Sequence, residues 1–140
     1  MKTAIVFWSG TGNTEAMAQS VANGAKAAGA EVAVFTCDRF NETMIDDYDS
    51  IAFGCPSMGA EQLEEDEFEP MFSACVPKLS GKKIALFGSY GWGDGEWMRT
   101  WEARCAEKGI ALAAASVMAN EAPDDDALAA CKALGAALTE

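Results

Sequence analysis

Lys2-Thr3-Ala4-Ile5-Val6-Phe7-Trp8-Ser9-Gly10-Thr11-Gly12-Asn13-Thr14 stands at the head of the chain, directly after Met1. The run from Lys2 to Trp8 is apolar and rich in β-formers, and it stops abruptly at a glycine-containing loop. That is the pattern of a strand buried on both faces of a parallel sheet. Asn13 or Thr14 is placed to cap a helix running through Met17, Val21 and Ala25, and Gly29 suits the position just beyond its end. Strand, glycine loop and helix together set the expectation for the rest of the chain.

The alternation then repeats. Residues 32–36, 51–54, 84–88 and 112–118 read as further strands. A weak helical segment at 43–47 and helices at 67–75, 95–108 and 124–138 lie between or after them. Pro70 falls early enough to be tolerated in the first turn of its helix, and Asp124, Asp125 and Asp126 suit the positive end of the last one. Strands alternating with helices predict an α/β fold, a doubly wound five-stranded parallel sheet of order 2-1-3-4-5 with helices on both faces. With no linker, repeat or low-complexity tract, residues 1–140 are expected to form a single domain. In such a sheet a ligand sits at the carboxyl ends of the strands where the order reverses. That points to the loops at 9–13, 55–61 and 89–95.

Composition narrows the chemistry. The chain has 22 Asp and Glu against 10 Lys and Arg, a formal net charge of −12. Nucleic acid and anionic membrane surfaces are poor partners for such a charge, and basic protein surfaces are good ones. No apolar run reaches the length that spans a bilayer, and the first strand is too short for a signal-peptide core, so a cytoplasmic protein is expected. The five cysteines, Cys37, Cys55, Cys75, Cys105 and Cys131, are scattered and contain no C-x-x-C pair. Free thiols are expected, and no metal site. With no histidine, Ser-His and Cys-His catalysis are excluded.

Each of the three loops has its own chemistry. In the first, Gly10 and Gly12 let backbone wrap around an anion at a helix N-terminus, while Ser9, Thr11, Asn13 and Thr14 add polar groups. It is neither a Walker A loop nor G-x-G-x-x-G, and no Lys or Arg lies between Thr3 and Asn23. An ordinary capped strand-to-helix turn is the other reading of this loop. In the second, Pro56-Ser57-Met58-Gly59-Ala60-Glu61, a polarisable methionine suited to a flat ring precedes a glycine able to reach positive φ. A core methionine beside a turn glycine is the commoner situation for any one such pair. The third, Ser89-Tyr90-Gly91-Trp92-Gly93-Asp94-Gly95, sets Trp92 on a thin glycine-lined loop, the form of a stacking platform. Trp97 and Trp101, spaced by four on the following helix, are expected to pack as core.

Ser9-Gly10-Thr11-Gly12-Asn13-Thr14, Met58-Gly59, Gly88-Ser89-Tyr90-Gly91-Trp92-Gly93 and Asn120-Glu121 resemble, in order and spacing, the motifs of the short-chain, clostridial-type flavodoxins. The resemblance covers essentially the entire chain, without the insertion in the fifth strand that marks long-chain members. It implies a flavodoxin-like fold and non-covalently bound FMN. Ser9, Thr11, Gly12, Asn13 and Thr14 would bind its phosphate, with Gly10 inside the same loop. Met58 and Trp92 would sandwich the isoalloxazine ring, Glu61 would accept from flavin N3–H, Gly59 would offer its carbonyl to N5–H, and Asn120 would contact the ribityl chain. Pro56, Ser57, Ala60, Ser89, Tyr90, Gly91 and Gly93 complete the implied FMN site. Ala60 stands where some relatives carry aspartate, and Pro56 where some carry serine.

The implied function is that of a low-potential one-electron carrier cycling between semiquinone and hydroquinone, and not an enzyme. Its partners would be redox enzymes with basic surfaces, of the ferredoxin/flavodoxin reductase, 2-oxoacid oxidoreductase and hydrogenase types, met by a monomer. The acidic residues Glu61, Glu64, Glu65, Asp66, Glu67 and Asp94 are expected as solvated surface groups that together oppose a second electron. An FMN-dependent quinone reductase of the same fold is the alternative, but no residues suggest its second substrate pocket. A receiver domain shares the strand order. It would need acidic residues after the first strand and a phosphoacceptor Asp ending the third, where Ser9-Gly10 and Gly54-Cys55 stand.

Overall fold

A computed structural model describes residues 1–140. The strands are β1 (Lys2–Phe7), β2 (Glu31–Thr36), β3 (Ser50–Gly54), β4 (Lys83–Tyr90) and β5 (Val117–Asn120). All pair in parallel, in the order β2-β1-β3-β4-β5, as the alternation of segments predicts. The helices are α1 (Asn13–Ala27), α2 (Phe68–Cys75), α3 (Glu96–Glu107) and α4 (Asp125–Ala137). The weak segment near 43–47 is a 3-10 turn over Glu42–Asp47.

Side chains alternate across a strand, so each central strand feeds two cores. Ala4 and Val6 face one side with Ile51, Phe53, Ile84 and Leu86, under α2 and α3. Ile5 and Phe7 face the other with Ala52, Ala85 and Phe87, under α1 and α4. Phe68 and Phe72 of α2 meet Trp101 of α3 edge to face, with ring centroids 5.5 and 5.6 Å apart. This is a geometry that aromatic quadrupoles favour. Trp97 and Trp101 are thus core residues, as their spacing predicts.

Helix ends follow local chemistry. After α1, Ala30 N–H bonds Ala25 O and Gly29 N–H bonds Lys26 O, both at 3.0 Å. Gly29, at φ 97°, takes the left-handed position of this Schellman closure. At α4 the Asp124 side chain accepts from Ala127 N–H at 2.8 Å. The start of α1 differs from the sequence expectation. Neither Asn13 nor Thr14 caps it; the cap position is Gly12, at φ 97°, and no side chain of that residue bonds the helix. A cap residue needs an extended backbone to aim its side chain at the first N–H groups, which Gly12 lacks, and the Ser9 hydroxyl accepts from Glu15 N–H in the first turn instead.

Two strand boundaries also differ. β4 runs on to Tyr90, because Ser89 and Tyr90 pair with Ala119 and Asn120. The fifth strand is Val117–Asn120 rather than 112–118. Leu112 makes one isolated bridge to Ile84, and regular pairing resumes only at Val117. The intervening Ala113-Ala114-Ala115 carries no β-branched side chain to hold a pleat against β4.

Candidate functional site

The carboxyl ends of β1, β3 and β4 lie side by side, so the three loops that follow them meet at one end of the sheet. A cleft of about 230 Å³ opens there. Gly10, Thr11 and Asn13 line it from the first loop, Pro56, Ser57 and Met58 from the second, and Ser89, Tyr90 and Gly91 from the third. Trp8 and Glu121 line it as well; Glu121 belongs to the Asn120-Glu121 motif, but neither residue is among the site residues expected from sequence. Trp8 reads there as the last residue of a strand. Glu121 carries a backbone signal, φ 60°, that sequence does not display.

Ser9 does not line the cleft. Its Oγ accepts from Gly12 N–H at 3.1 Å and Glu15 N–H at 3.2 Å, which braces the loop from inside. Thr14 is buried, and its hydroxyl pairs with Ser89 Oγ at 3.1 Å, tying the first loop to β4. The wall presented to an anion is therefore neutral: loop and helix N–H groups with hydroxyls, and no cationic side chain between Thr3 and Asn23.

The second loop is a tight turn. Met58 N–H bonds Gln62 O at 2.8 Å, and Gln62 N–H bonds Met58 O at 3.0 Å. Gly59 stands at φ 53° and Glu61 at φ 54°. The first value suits glycine, and the second is uncommon for any other residue. The Glu61 side chain folds under the third loop, where a Cβ on Gly93 would come within 2.2 Å of Glu61 Oε1. That oxygen is buried and has no hydrogen-bond partner in the chain. Buried acceptors are almost always satisfied, so an unpartnered carboxylate oxygen calls for a donor from outside the chain.

The third loop is held from both sides. Glu121 N–H bonds Tyr90 O at 2.8 Å, and Asn120 Nδ2 reaches Tyr90 O and Gly91 O at 3.3 and 3.4 Å. Arg99 reaches back from α3 to Asp94 O at 3.1 Å, Asp94 Oδ1 at 2.9 Å and Glu96 Oε2 at 2.8 Å. Between these braces Trp92 stays 66 % exposed, beyond the lining of the cleft, and Met58 is 36 % exposed. Beneath them, Trp97 Nε1 donates to Cys55 O at 3.1 Å, joining α3 to the start of the second loop.

The acidic residues are not alike. Glu65, Asp66 and Glu67 are exposed. Asp94 is ion-paired with Arg99. Glu64 is not a solvated surface group: it is 7 % exposed and accepts three backbone N–H groups, from Asp66, Glu67 and Phe68. Burial alone would raise its pKa, but the three donors outweigh that and hold the carboxyl below its ordinary value. Ionised Glu64 pays its desolvation through these bonds.

All five cysteines are free, as their scatter predicts, and all are buried. Burial, with Glu67 and Glu64 adding negative charge nearby, pushes the Cys37 thiol up to about 12. Cys75 and Cys131 are pushed up to about 12 and Cys105 to about 11, burial being the main cause in each. Thiolate is the reactive form. The native protein at pH 8 is therefore expected to react with almost no thiol reagent, and the unfolded chain with five equivalents. Rapid modification of the native protein would contradict this assignment.

No group of His, Cys, Asp and Glu side chains is arranged to hold a metal ion, and no helix is long and apolar enough to cross a membrane. The flavodoxin family profile matches residues 5–135. A flavodoxin from Megasphaera elsdenii is 49 % identical over 136 residues, 95 % of each chain, and one from Clostridium beijerinckii is 45 % identical over 86 % of this chain and 88 % of its own. The solution structure of two-electron reduced Megasphaera elsdenii flavodoxin superposes with a TM-score of 0.89 at 46 % identity, over 99 % of both chains. A flavodoxin from the domain Archaea superposes at 0.87 with 27 % identity, over 99 % of this chain and 96 % of that one. A three-loop cleft at the switch point of this sheet, agreeing with such relatives over nearly the whole length, places the chain in the flavodoxin family.

Proposed function

We propose that the cleft holds FMN through the residues of its three loops, and that the chain is a low-potential one-electron carrier between redox enzymes. As a member of the flavodoxin family it is an FMN-binding electron-transfer protein and not an enzyme. A quinone reductase of the same fold is not favoured. The observation that carries the site assignment is the buried, unpartnered Oε1 of Glu61, in the turn whose Met58 lines the cleft. An imide N–H such as flavin N3–H is the donor it lacks.

Bound FMN supplies the redox chemistry, taking and giving electrons one at a time. The remaining work falls to the protein. Gly10, Thr11 and Asn13 would hold the phosphate with N–H groups and polar side chains, in a loop whose Gly12 and Thr14 are tied down by Ser9 and Ser89. Met58 and Trp92 would pack on the ring, and Tyr90, Pro56 and Ser57, which line the cleft with Met58, would close around it. Asn120 acts at one remove, by fixing the Tyr90 and Gly91 carbonyls. The Gly59 carbonyl would offer an acceptor to a flavin N5–H. One such bond, about 1 kcal/mol, is about 40 mV in a one-electron couple.

Charge sets the low potential. The phosphate is not neutralised by any side chain of its own loop, and the exposed Glu65, Asp66 and Glu67 lie in the segment that follows the turn. A single carboxylate about 12 Å from an added electron opposes it by about 0.3 to 1.4 kcal/mol, or about 15 to 60 mV, for effective dielectrics of about 80 to 20. The same acidity steers the protein to basic surfaces on reductases, 2-oxoacid oxidoreductases or hydrogenases, in encounters weakened by salt. It would act as a single-domain monomer in the cytoplasm, a reducing compartment with which five unpaired thiols accord.

Anaerobic stepwise reduction of the FMN-loaded protein tests this. A long-wavelength absorbance is expected to rise to a maximum at one electron per protein and then decline. Direct two-electron reduction, with turnover of NAD(P)H and quinone, would show an enzyme instead.

A further inference from the structure

Glu64 lies between the cleft and α2. Its Oε1 accepts from Glu67 and Phe68 N–H, both at 2.8 Å, and its Oε2 from Asp66 N–H at 2.9 Å. These are donors that a helix start leaves without partners, and Glu67, at the cap position of α2, makes no side-chain cap. The backbone of Glu64 is also held. Its N–H donates to Cys55 Sγ at 3.3 Å, and its carbonyl accepts from Glu69 N–H at 2.9 Å.

Cys55 is the first residue after β3 and is fully buried. Residues 55 and 64 are therefore the two feet of one loop, pinned to each other and to the core. The Met58–Gln62 turn stands on those feet, with Leu63 buried beneath it at 8 % exposure. The positive φ of Glu61 in this turn is a costly conformation that persists only where the surrounding structure over-determines it, and the two pinned feet supply that constraint.

We infer that Glu64 is a positioning residue: by clamping the start of α2 to the foot of the Met58–Gln62 turn, it sets the conformation of that turn, and with it the gap between the two midpoint potentials. It does so without touching the cofactor, and the role presupposes the FMN assignment made above. A purely Coulombic role is the competing account. Glu67, exposed and three residues on, carries the same charge without the clamp and provides the control.

The test compares Glu64→Gln, Glu64→Asp and Glu67→Gln in the full-length protein by two measurements. The first is hydrogen exchange at the Asp66, Glu67 and Phe68 amides, and the second the two midpoint potentials of the FMN-loaded protein. Glu64→Gln is expected to lower amide protection at least tenfold and to shift the equilibrium between the two couples tenfold, a narrowing of about 59 mV. Glu64→Asp, which keeps the charge but shortens the reach, is expected to move both readouts the same way, and it decides alone if Glu64→Gln does not fold. Glu67→Gln is expected to change the equilibrium less than threefold. Equal shifts from Glu64→Gln and Glu67→Gln, or wild-type potentials in Glu64→Asp, would overturn the positioning role while leaving FMN binding intact. A wild-type protein that takes up no FMN overturns the cofactor assignment, and this role with it.

Discussion

Trp92→Ala is expected to weaken FMN binding about tenfold to a hundredfold and to move both midpoint potentials, while leaving the FMN-free fold as stable as before. The side chain is 66 % exposed on a loop whose shape is set elsewhere, by Arg99 through Asp94 and by Asn120 and Glu121 through Tyr90 and Gly91. Removing it leaves no cavity in the core, so the stability of the chain does not depend on it. What is lost is stacking surface, worth about 1–3 kcal/mol for a planar base on an aromatic ring. Fluorescence titration with FMN and thermal unfolding of the FMN-free protein separate the two effects. Unchanged affinity and potentials would remove Trp92 from the site. A lowered unfolding temperature would show instead that the side chain supports the fold.

Gly59→Val is expected to narrow the gap between the two couples by about 45–90 mV. Gly59 holds φ 53°, and the turn closes through two hydrogen bonds between Met58 and Gln62. For a residue with a Cβ that region costs about 1–2 kcal/mol, and a β-branched side chain is among the least tolerant. The strain falls on the peptide whose carbonyl is assigned to flavin N5, so it weakens the one contact that responds to the proton there. The conversion from free energy to potential is about 59 mV for a tenfold change in a one-electron couple. A Cβ at this position meets nothing within 4 Å, which makes the substitution a test of backbone conformation rather than of packing. Potentiometry that returns the wild-type gap would exclude a conformational role for the turn.

The parts of the molecule legible in sequence are those where one physical requirement dominates. β1 and its loop are one case: a run of apolar β-formers stopped by Gly10 and Gly12 has few other solutions. Trp97 and Trp101 are another, because spacing by four on a helix puts both on one face. The misread parts are those decided by tertiary partners. Alanines at 113–115 fit strand and loop equally well, so the point where β5 resumes depends on pairing with β4 and not on local preference. The α1 cap went to Gly12 because the loop conformation, invisible in sequence, moved the boundary.

Glu64 was read as one more surface carboxylate within an acidic run. Its place just before a helix start was the only local hint, and burial with three N–H bonds is what separates it from Glu65 and Glu67. Trp8 lines the cleft through the packing of neighbouring loops, and Glu121, though part of a quoted motif, has no role there that sequence assigns.

The central claim is that three loops make one FMN site whose phosphate is held by neutral dipoles. The most direct measurement is equilibrium titration of the FMN-free protein with FMN and, separately, with riboflavin, followed by quenching of flavin fluorescence. One equivalent of FMN is expected to bind, far more tightly than riboflavin, which lacks the phosphate. A protein that quenches neither flavin, or that binds both equally, would contradict it.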